Sequence, residues 1–385
     1  MKEAEILSVH YNEIALKGKL RTGFESLLIK SIKYATGYEP RRLQNRLIMD
    51  DWDDKTKETL KKLPGVSWVG EGKIIDRKTE LLEKRLYSIM PEDKTNVELD
   101  VKRIDKSFES TSLELKMLLT KKFGLNMHSK GDRIRIEIMK DCFIINRSIE
   151  HGVGGVPIGS AGRILSLFSG GIDSSIVPFE MMKRGCEVDL LHVYALKDAD
   201  KSLETKIGRI AQDISSISEI NLYLVPFHVF GVKVMSINPR YELVLFKRFL
   251  LKLGESLCEK RGYRGIATGD SLSQVASQTL DNINAISYDI DLPVFRPFIS
   301  YNKDEIIEKA KKYGLYDLSI MKYSDCCSLV YKNPATKAKK DVVKQLEAKL
   351  EMDDIIDKSL KELKIVNFCK SKQTAGNLRF DLVQP

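Results

Sequence analysis

A short apolar stretch that ends in two glycines sets the strongest constraint on how this chain can fold. Residues 163–175 have the sequence Arg-Ile-Leu-Ser-Leu-Phe-Ser-Gly-Gly-Ile-Asp-Ser-Ser. The apolar part is typical of a strand buried on both faces, and Gly170-Gly171 lets the backbone turn so that N–H groups point at an anion. A helix that begins near Ser174 adds the positive end of its dipole. The stretch therefore predicts a phosphate-binding loop, with a plain strand-to-helix turn as the alternative.

From Arg163 onward, strand-like runs alternate with helical patterns. Four strands are predicted with helices between them, at 163–168, 187–194, 221–227 and 264–268. In the helix after Asn238, apolar residues recur at steps of three and four and form one stripe that packs on a sheet. We therefore expect an α/β domain over 163–340, with a doubly wound parallel sheet and right-handed crossovers. On such sheets ligands bind at the carboxyl ends of the strands, where the predicted loop lies.

Two smaller domains are predicted upstream, before a glycine-rich linker. Residues 1–54 show strand, helix and strand patterns and predict a small α+β domain. Residues 55–150 place two alternating strands beside long polar helices, which indicates an antiparallel sheet with one face covered. Five glycines and a proline at 151–162 forbid regular structure there. Residues 341–385 are predicted as a charged C-terminal extension.

The charge and the cysteines limit the function class. A net charge of +9 over 385 residues favours a polyanionic partner such as a nucleic acid. No apolar run approaches the roughly 18 residues that span a bilayer, and the start lacks a signal-peptide pattern, so we expect a cytoplasmic protein without a membrane partner. Six scattered cysteines do not form a disulfide framework, and reduced thiols are expected.

Two motifs resemble those of one enzyme family. Residues 169–174, Ser-Gly-Gly-Ile-Asp-Ser, are similar to the PP-loop of the ATP pyrophosphatases, and no Gly-Lys-Ser or Gly-Lys-Thr triplet of a Walker loop follows. Residues 268–279, Thr-Gly-Asp-Ser-Leu-Ser-Gln-Val-Ala-Ser-Gln-Thr, resemble the second signature of the tRNA 4-thiouridine synthetases, or tRNA sulfurtransferases. Asp270 and Ser273 stand where Glu and Gly are usual in that family. The resemblance therefore points to one PP-loop family in particular.

The resemblance extends over nearly the whole chain. Shorter segments resemble the family's ferredoxin-like domain, its THUMP domain, the exit from that domain and the C-terminal part, at 12–19, 101–108, 152–159, 296–299 and 324–334. It implies a ferredoxin-like domain at 1–54, a THUMP domain at 55–150 and a PP-loop domain at 163–340. The form of the family without a rhodanese domain after residue 340 is expected.

The resemblance implies an ATP-dependent tRNA sulfurtransferase. It implies that the enzyme adenylates uridine 8 of tRNA with ATP and Mg²⁺, replaces O4 with sulfur to give 4-thiouridine, and releases AMP and pyrophosphate. Sulfur supply for thiamin thiazole formation and a non-catalytic tRNA-binding module are the alternatives. The expected partners are tRNA and a sulfur donor, with a homodimer as a further expectation that the sequence itself does not test.

The nucleotide residues are carried over by resemblance. The expected ATP-binding residues are Leu167, Phe168, Ser169, Gly170, Gly171, Ser174, His192, Val193, Lys247, Gly269 and Gln278. Asp173 is the expected catalytic carboxylate. Lysine offsets phosphate charge, a glycine permits close approach, and the Gln278 amide offers both a donor and an acceptor. An ordinary strand histidine and a solvated lysine are the alternatives for His192 and Lys247. No metal ligands are assigned.

Cys326 and Cys327 are the candidate sulfur carriers. Adjacent cysteines rarely close a relaxed disulfide, so one of them is expected to be a working thiol. The resemblance slightly favours Cys327 over Cys326, and buried structural cysteines are the alternative. The open sulfur donors are free sulfide, a persulfide from a protein such as a cysteine desulfurase, and an iron–sulfur cluster on three cysteines.

Four basic residues are the candidate tRNA contacts: Lys17, Lys19, Arg21 and Arg103. The first three cluster in a turn beside a predicted strand, where cations can meet phosphates. Arg103 lies in the THUMP-like segment. A solvated protein surface is the alternative for all four.

Overall fold

The computed structural model describes residues 3–127, 131–323, 326, 329–330, 333–370, 373–374, 377–378 and 381–383. The chain forms two compact units, Met1–Val156 and Pro157–Pro385. The division between them falls inside the predicted linker.

One seven-stranded sheet forms the centre of the N-terminal unit. Its strands are β1 (Ala4–His10), β2 (Arg41–Leu43), β3 (Arg46–Met49), β4 (Trp68–Asp76), β5 (Val97–Arg103), β6 (Asp132–Ile138) and β7 (Cys142–His151). They lie in the order β2-β3-β1-β4-β7-β6-β5. Strands from both predicted upstream domains therefore share one sheet, and the division at residue 54 stays a prediction.

Four helices accompany this sheet, after a 3₁₀ segment at Glu13–Leu20: α1 (Arg21–Thr36), α2 (Asp54–Lys62), α3 (Thr79–Ile89) and α4 (Ser112–Phe123). Helix α4 begins with a capping box in which Thr111 and Glu114 satisfy each other's backbone N–H groups. The prediction of an antiparallel sheet is wrong for β5 and β6, which are parallel. The reason is that α4 lies between them in the chain, and such a crossover returns the next strand in the same direction.

A buried carboxylate joins distant strands of the N-terminal sheet. Glu137 on β6 is fully buried and accepts a hydrogen bond from Arg46 Nη2 on β3 at 2.8 Å. Arg135 Nε lies 3.3 Å from Glu137 Oε1, and His10 Nε2 lies 3.2 Å from Oε2. Burial alone raises the pKa of Glu137, but the polar groups around it, His10 first and then Arg46, hold that pKa below its usual range. An ionised carboxylate thus links both parts of the shared sheet.

The C-terminal unit has a mostly parallel sheet. Its strands are β8 (Gly162–Leu167), β9 (Cys186–Tyr194), β10 (Ile220–Pro226), β11 (Ile266–Ala267), β12 (Val294–Phe295), β13 (Lys364–Phe368) and β16 (Asp381–Val383), and a separate pair is formed by β14 (Gln373–Thr374) and β15 (Asn377–Leu378). The sheet has the order β12-β11-β8-β9-β10-β13-β16. From β12 to β10 all neighbours are parallel. The four predicted strands are confirmed, and the order reverses direction beside β8, which creates the crevice in which such sheets bind ligands.

Helices surround this sheet, with 3₁₀ turns at Pro239–Tyr241 and Ala276–Gln278. They are α5 (Ile172–Lys183), α6 (Ala199–Leu203), α7 (Lys206–Ser215), α8 (His228–Val234), α9 (Glu242–Arg261), α10 (Leu280–Ser287), α11 (Lys303–Tyr313), α12 (Tyr316–Ser319), α13 (Lys340–Leu350) and α14 (Met352–Lys361). The apolar stripe predicted after Asn238 lies on α9, where Phe246, Leu253 and Leu257 are buried against the sheet. None of the described helices is long and apolar enough to cross a bilayer.

The segment predicted as a charged extension lies within the C-terminal unit. Strand β13 pairs antiparallel with β10. Met352 and Ile355 of α14 and Ile365 of β13 are buried in the same core as α9. Residues 341–368 therefore complete the α/β unit.

Candidate nucleotide site

A cavity of about 610 Å³ opens at the carboxyl ends of β8, β9 and β11. Its volume is within the range of about 300–1,000 Å³ that is usual for small-molecule sites. Most of the expected site residues line it: Leu167, Phe168, Ser169, Asp173, Ser174, His192, Val193, Lys247, Gly269, Gln278 and Cys326. The sheet therefore brings together residues that are far apart in the sequence.

The glycine loop connects β8 to α5 as the sequence predicts. Gly170 has a φ of +78°, and a Cβ there would lie 2.4 Å from Ile207 Cδ1, so a side chain meets both strain and a clash. The Ser169 N–H donates to Ser174 Oγ at 3.2 Å. Gly171 is the N-cap of α5, where the first N–H groups of a helix have no intrahelical acceptor. The first turn of α5 thus offers N–H donors and a helix dipole to an anion.

Asp173 lies in the first turn of α5 and has two partners that the sequence did not reveal. Lys303 Nζ donates to Asp173 Oδ1 at 2.5 Å, and Gln274 Nε2 donates to Oδ2 at 2.8 Å. Lys303 begins α11, 130 residues downstream, and no motif connects the two positions. The structure therefore adds an ammonium group beside the glycine loop.

Asp270 connects several groups at the other side of the cavity. Its carboxylate accepts hydrogen bonds from Lys247 Nζ at 2.7 Å, Thr268 Oγ1 at 2.8 Å and Gln278 Nε2 at 3.4 Å. Arg296 Nε lies 3.5 Å from the same carboxylate. Burial alone raises the pKa of Asp270, but Lys247 and these neighbours lower it to about 2. The charged Asp270 thus fixes Lys247 and Gln278, although the sequence marked it only as a departure from the family pattern.

Gly269 permits a close approach between β11 and α5. A Cβ at this position would lie 2.9 Å from the Asp173 carbonyl carbon and from the Ser174 nitrogen. The family resemblance implies close approach of the nucleotide at Gly269, which stays a prediction, and in the structure the near neighbour is the backbone at the start of α5. Ser273, five residues before Gln278, has a φ of +62°, which is a left-handed conformation that glycine adopts more readily.

His192 is buried at the end of β9, and both ring nitrogens have partners. Nδ1 lies 2.7 Å from the Phe168 carbonyl oxygen, and Nε2 lies 2.9 Å from the Tyr323 hydroxyl. Burial lowers the pKa of His192 to about 4. The imidazole is therefore neutral near pH 7.

Cys326 is buried and lines the cavity. Its thiol donates to the Val193 carbonyl oxygen at 3.2 Å. Cys327 lies outside the described residues, so the choice between the two cysteines stays a prediction. Within the part of the chain that the structure describes, no group of three His, Cys, Asp or Glu side chains is placed to hold a metal ion.

The candidate tRNA contacts lie in the N-terminal unit and differ in their surroundings. Arg21 Nε donates to Glu25 at 2.9 Å, and Arg103 Nη1 donates to two backbone carbonyls of the loop after β5. Lys17 is half-buried and Lys19 is exposed. Lys19 therefore has the most accessible cation of the four, and RNA contact by any of them stays a prediction.

The loop at the reversal point of a parallel sheet, with its glycines and downstream aspartate, defines a protein of the PP-loop class. The chain matches the sequence profile of the thiamine biosynthesis protein ThiI over residues 159–352 and that of the ThiI ferredoxin-like domain over residues 6–69. The chain belongs to the ThiI family of tRNA sulfurtransferases.

Related proteins are similar to this chain over most of their length. A probable tRNA sulfurtransferase of Thermoanaerobacter pseudethanolicus is 32% identical, over 92% of this chain and 97% of the relative. A probable tRNA sulfurtransferase of Staphylococcus epidermidis is 28% identical, over 96% of each chain. A 4-thiouridine synthetase in a crystal structure with RNA and bound ATP has a TM-score of 0.80 and 25% identity, over 95% of this chain and 100% of that one. The protein PH1313 of Pyrococcus horikoshii, with a TM-score of 0.59 and 19% identity, shares the fold.

Proposed function

We propose that this protein uses ATP to convert a uridine of tRNA to 4-thiouridine, with AMP and pyrophosphate as by-products. The observation that carries the proposal is that Ser169, Asp173 and Ser174, at the glycine loop and the start of α5, line the same cavity as Cys326. The relatives named tRNA sulfurtransferase and the synthetase crystallised with RNA and ATP support it. Uridine 8 is the target that the family resemblance implies.

The first step activates the base. Uridine O4 attacks the α-phosphorus of ATP, the bond to the bridging oxygen breaks, and pyrophosphate leaves with the electron pair. The N–H groups in the first turn of α5, the dipole of this helix and the Lys303 ammonium neutralise the charge that develops on this leaving group. Lys247, held by Asp270, adds a second cation on the opposite side.

The residues of the loop also fit Mg²⁺, the metal that the resemblance implies. The Asp173 carboxylate and the Ser169 and Ser174 hydroxyls are hard oxygen donors of the kind that Mg²⁺ prefers, with phosphate oxygens and water as its other ligands. Asp173 would hold the ion, and the ion supplies charge neutralisation for the phosphates when it is bound.

The second step brings in sulfur. A hydrosulfide, or the terminal sulfur of a persulfide on Cys326 or Cys327, attacks C4, and the C4–O4 bond breaks to release AMP. With hydrosulfide, loss of its proton leaves the thiocarbonyl. With a persulfide, a thiol then reduces the S–S bond and frees the product. The donor is a cysteine desulfurase or sulfide, and an iron–sulfur cluster held by three cysteines is the third candidate source.

Substitution of Asp173 tests the assignment. We expect Asp173→Asn to lower AMP release and 4-thiouridine formation by about 100-fold or more, because the carboxylate that orients Lys303 and the metal is lost. Binding of tRNA should not change. The matched control is Asp304→Asn, an exposed aspartate next to Lys303 on α11. Wild-type activity in Asp173→Asn would refute the role of the loop.

A deletion strain and the purified protein distinguish the proposed function from the two alternatives. Loss of 4-thiouridine from its tRNA nucleosides, measured by mass spectrometry, supports the proposal. A thiamine requirement with 4-thiouridine intact supports sulfur supply for thiazole formation. Binding of tRNA without AMP release by the purified protein supports a non-catalytic module.

A further inference from the structure

We infer that the His192 side chain is a positioning residue that connects the glycine loop to the cysteine segment, and that it is not a ligand of the nucleotide. The cysteine segment is defined here as the described residues 319–323 and 326. The inference rests on the proposed function, since it assigns the ring to the sulfur-transfer step. His192 lines the cavity, but both of its ring nitrogens have hydrogen-bond partners within the protein.

The hydrogen bonds of His192 can have only one direction. A carbonyl oxygen only accepts, so Nδ1 carries the proton and donates to Phe168 O at 2.7 Å. Nε2 of the neutral ring is then an acceptor, and the Tyr323 hydroxyl donates to it at 2.9 Å. Burial of the ring, which is 1% exposed, disfavours the doubly protonated form that would lose this acceptor. The imidazole therefore acts as a fixed spacer between two chain segments.

The two segments that it joins are the two reactive parts of the cavity. Phe168 directly precedes Ser169 of the glycine loop, and Tyr323 lies three residues before Cys326. The Cys326 thiol donates to the carbonyl of Val193, the neighbour of His192, at 3.2 Å. The end of β9 thus provides two adjacent attachment points for the cysteine segment.

A third contact attaches the start of the same segment. Lys206, at the beginning of α7, is buried and its ammonium donates to the Ser319 carbonyl oxygen at 2.7 Å. The Lys206 Cε lies 3.4 Å from the position that a Cβ on Gly170 would take. The glycine loop and the cysteine segment therefore share neighbours at both ends, and a shift of one is transmitted to the other.

The sulfur-transfer step depends on the position of the cysteine segment. Sulfur must approach C4 of the activated base within about 3–3.5 Å, and a misplacement of about 1 Å costs about 100-fold in rate. The glycine loop does not need the tyrosine to bind ATP. Loss of the His192–Tyr323 hydrogen bond should therefore slow sulfur transfer and leave adenylation nearly unchanged.

The variant Tyr323→Phe removes the hydroxyl and keeps the ring. We expect the KM for ATP and the rate of AMP release to stay within about twofold, while 4-thiouridine formed for each AMP falls about tenfold or more. Alkylation of Cys326 by iodoacetamide, followed by peptide mass spectrometry without ATP or tRNA, should become faster, because the segment is less firmly held. The matched control is Tyr313→Phe, whose lost hydroxyl donates to Glu180 at 2.8 Å, and none of these quantities should change in it.

A second variant keeps the test independent of Tyr323. His192→Leu should reproduce the loss of 4-thiouridine for each AMP. The double variant should be no worse than His192→Leu alone, since that change already removes the His192–Tyr323 hydrogen bond, which is the bond that Tyr323→Phe removes. A raised KM for ATP with an unchanged ratio of 4-thiouridine to AMP would overturn the inference and make the ring a nucleotide ligand. Additive losses, or unchanged Cys326 alkylation in Tyr323→Phe, would also overturn it. Absence of AMP release in the wild type would instead refute the proposed function, and the alkylation result would still decide the inference.

Discussion

Replacement of Asp270 by asparagine tests the electrostatics of the cavity in the most quantitative way. The side chain is almost isosteric, so the main change is the loss of a buried charge that holds Lys247 at 2.7 Å and lies 3.5 Å from Arg296. In the wild type these cations more than offset the cost of burying the carboxylate, which is why its pKa is lowered. The variant leaves the two cations without their buried counter-ion.

The expected loss of stability in Asp270→Asn follows from the pKa of Asp270. At about 1.4 kcal/mol for each pH unit, a fall of the pKa from 3.8 to about 2 in the folded protein stabilises it by roughly 2–3 kcal/mol at pH 7. A group whose pKa is lowered by folding stabilises the protein above its unfolded pKa, and this contribution disappears as the pH falls through the folded pKa. The difference in the free energy of unfolding between the wild type and Asp270→Asn should therefore be complete above about pH 5, about half as large near pH 3, and absent below about pH 2.

Urea unfolding, followed by circular dichroism at pH 7, 5, 4 and 3, measures this difference. Both tryptophans, Trp52 and Trp68, lie in the N-terminal unit, so their fluorescence is an internal control that should not change. The matched variant is Asp357→Asn, an exposed aspartate on α14. A difference in the free energy of unfolding that is constant from pH 7 to pH 3 would refute the electrostatic explanation. So would a difference as small as that of the control.

Two further changes test the glycine loop and the N-terminal sheet. Gly170→Ala should abolish ATP-dependent pyrophosphate exchange and destabilise the C-terminal unit by more than Gly262→Ala does. Gly262 has a similar φ of +74° but open space around it, so its variant carries only the left-handed strain of about 1–2 kcal/mol; equal effects would argue against the clash with Ile207. Glu137→Gln should lower the free energy of unfolding of the N-terminal unit by about 3 kcal/mol. This value is at the lower end of the range for a broken buried ion pair, because the arginines that pair with Glu137 are partly exposed. Tryptophan fluorescence in urea measures it, and a loss below about 1 kcal/mol would mean that the carboxylate carries little of the link between strands.

The sequence predicts local features of the α/β unit well, because each strand and helix has its own period. The strand before Ser169, the glycine turn and the apolar stripe of α9 are all visible in adjacent residues. Partners that meet only through the fold are not visible. Lys303 and Gln274 reach Asp173 from 130 and 101 residues away, and no spacing rule links such positions.

Strand pairing in the N-terminal unit could not be predicted from the sequence for a similar reason. The alternating residues of β5 and β6 predict half-buried strands, but alternation is the same in parallel and antiparallel pairs. The shared sheet of both upstream segments depends on β1 lying between β3 and β4, which is a tertiary choice. Strand β13 has a local signal that the prediction of a charged extension overlooked, because its five residues, Lys364–Phe368, include the buried apolar Ile365, Val366 and Phe368.

The position of β13 has a consequence for how the enzyme is made. Strand β13 lies beside β10 in the sheet but leaves the ribosome about 140 residues after it. At about 5–20 residues per second, that is a delay of roughly 7–30 s. During this time the edge of β10 is unpaired and the core that β13 and α14 cover is open, so the nascent C-terminal unit exposes a strand edge and apolar surface on which other chains can aggregate.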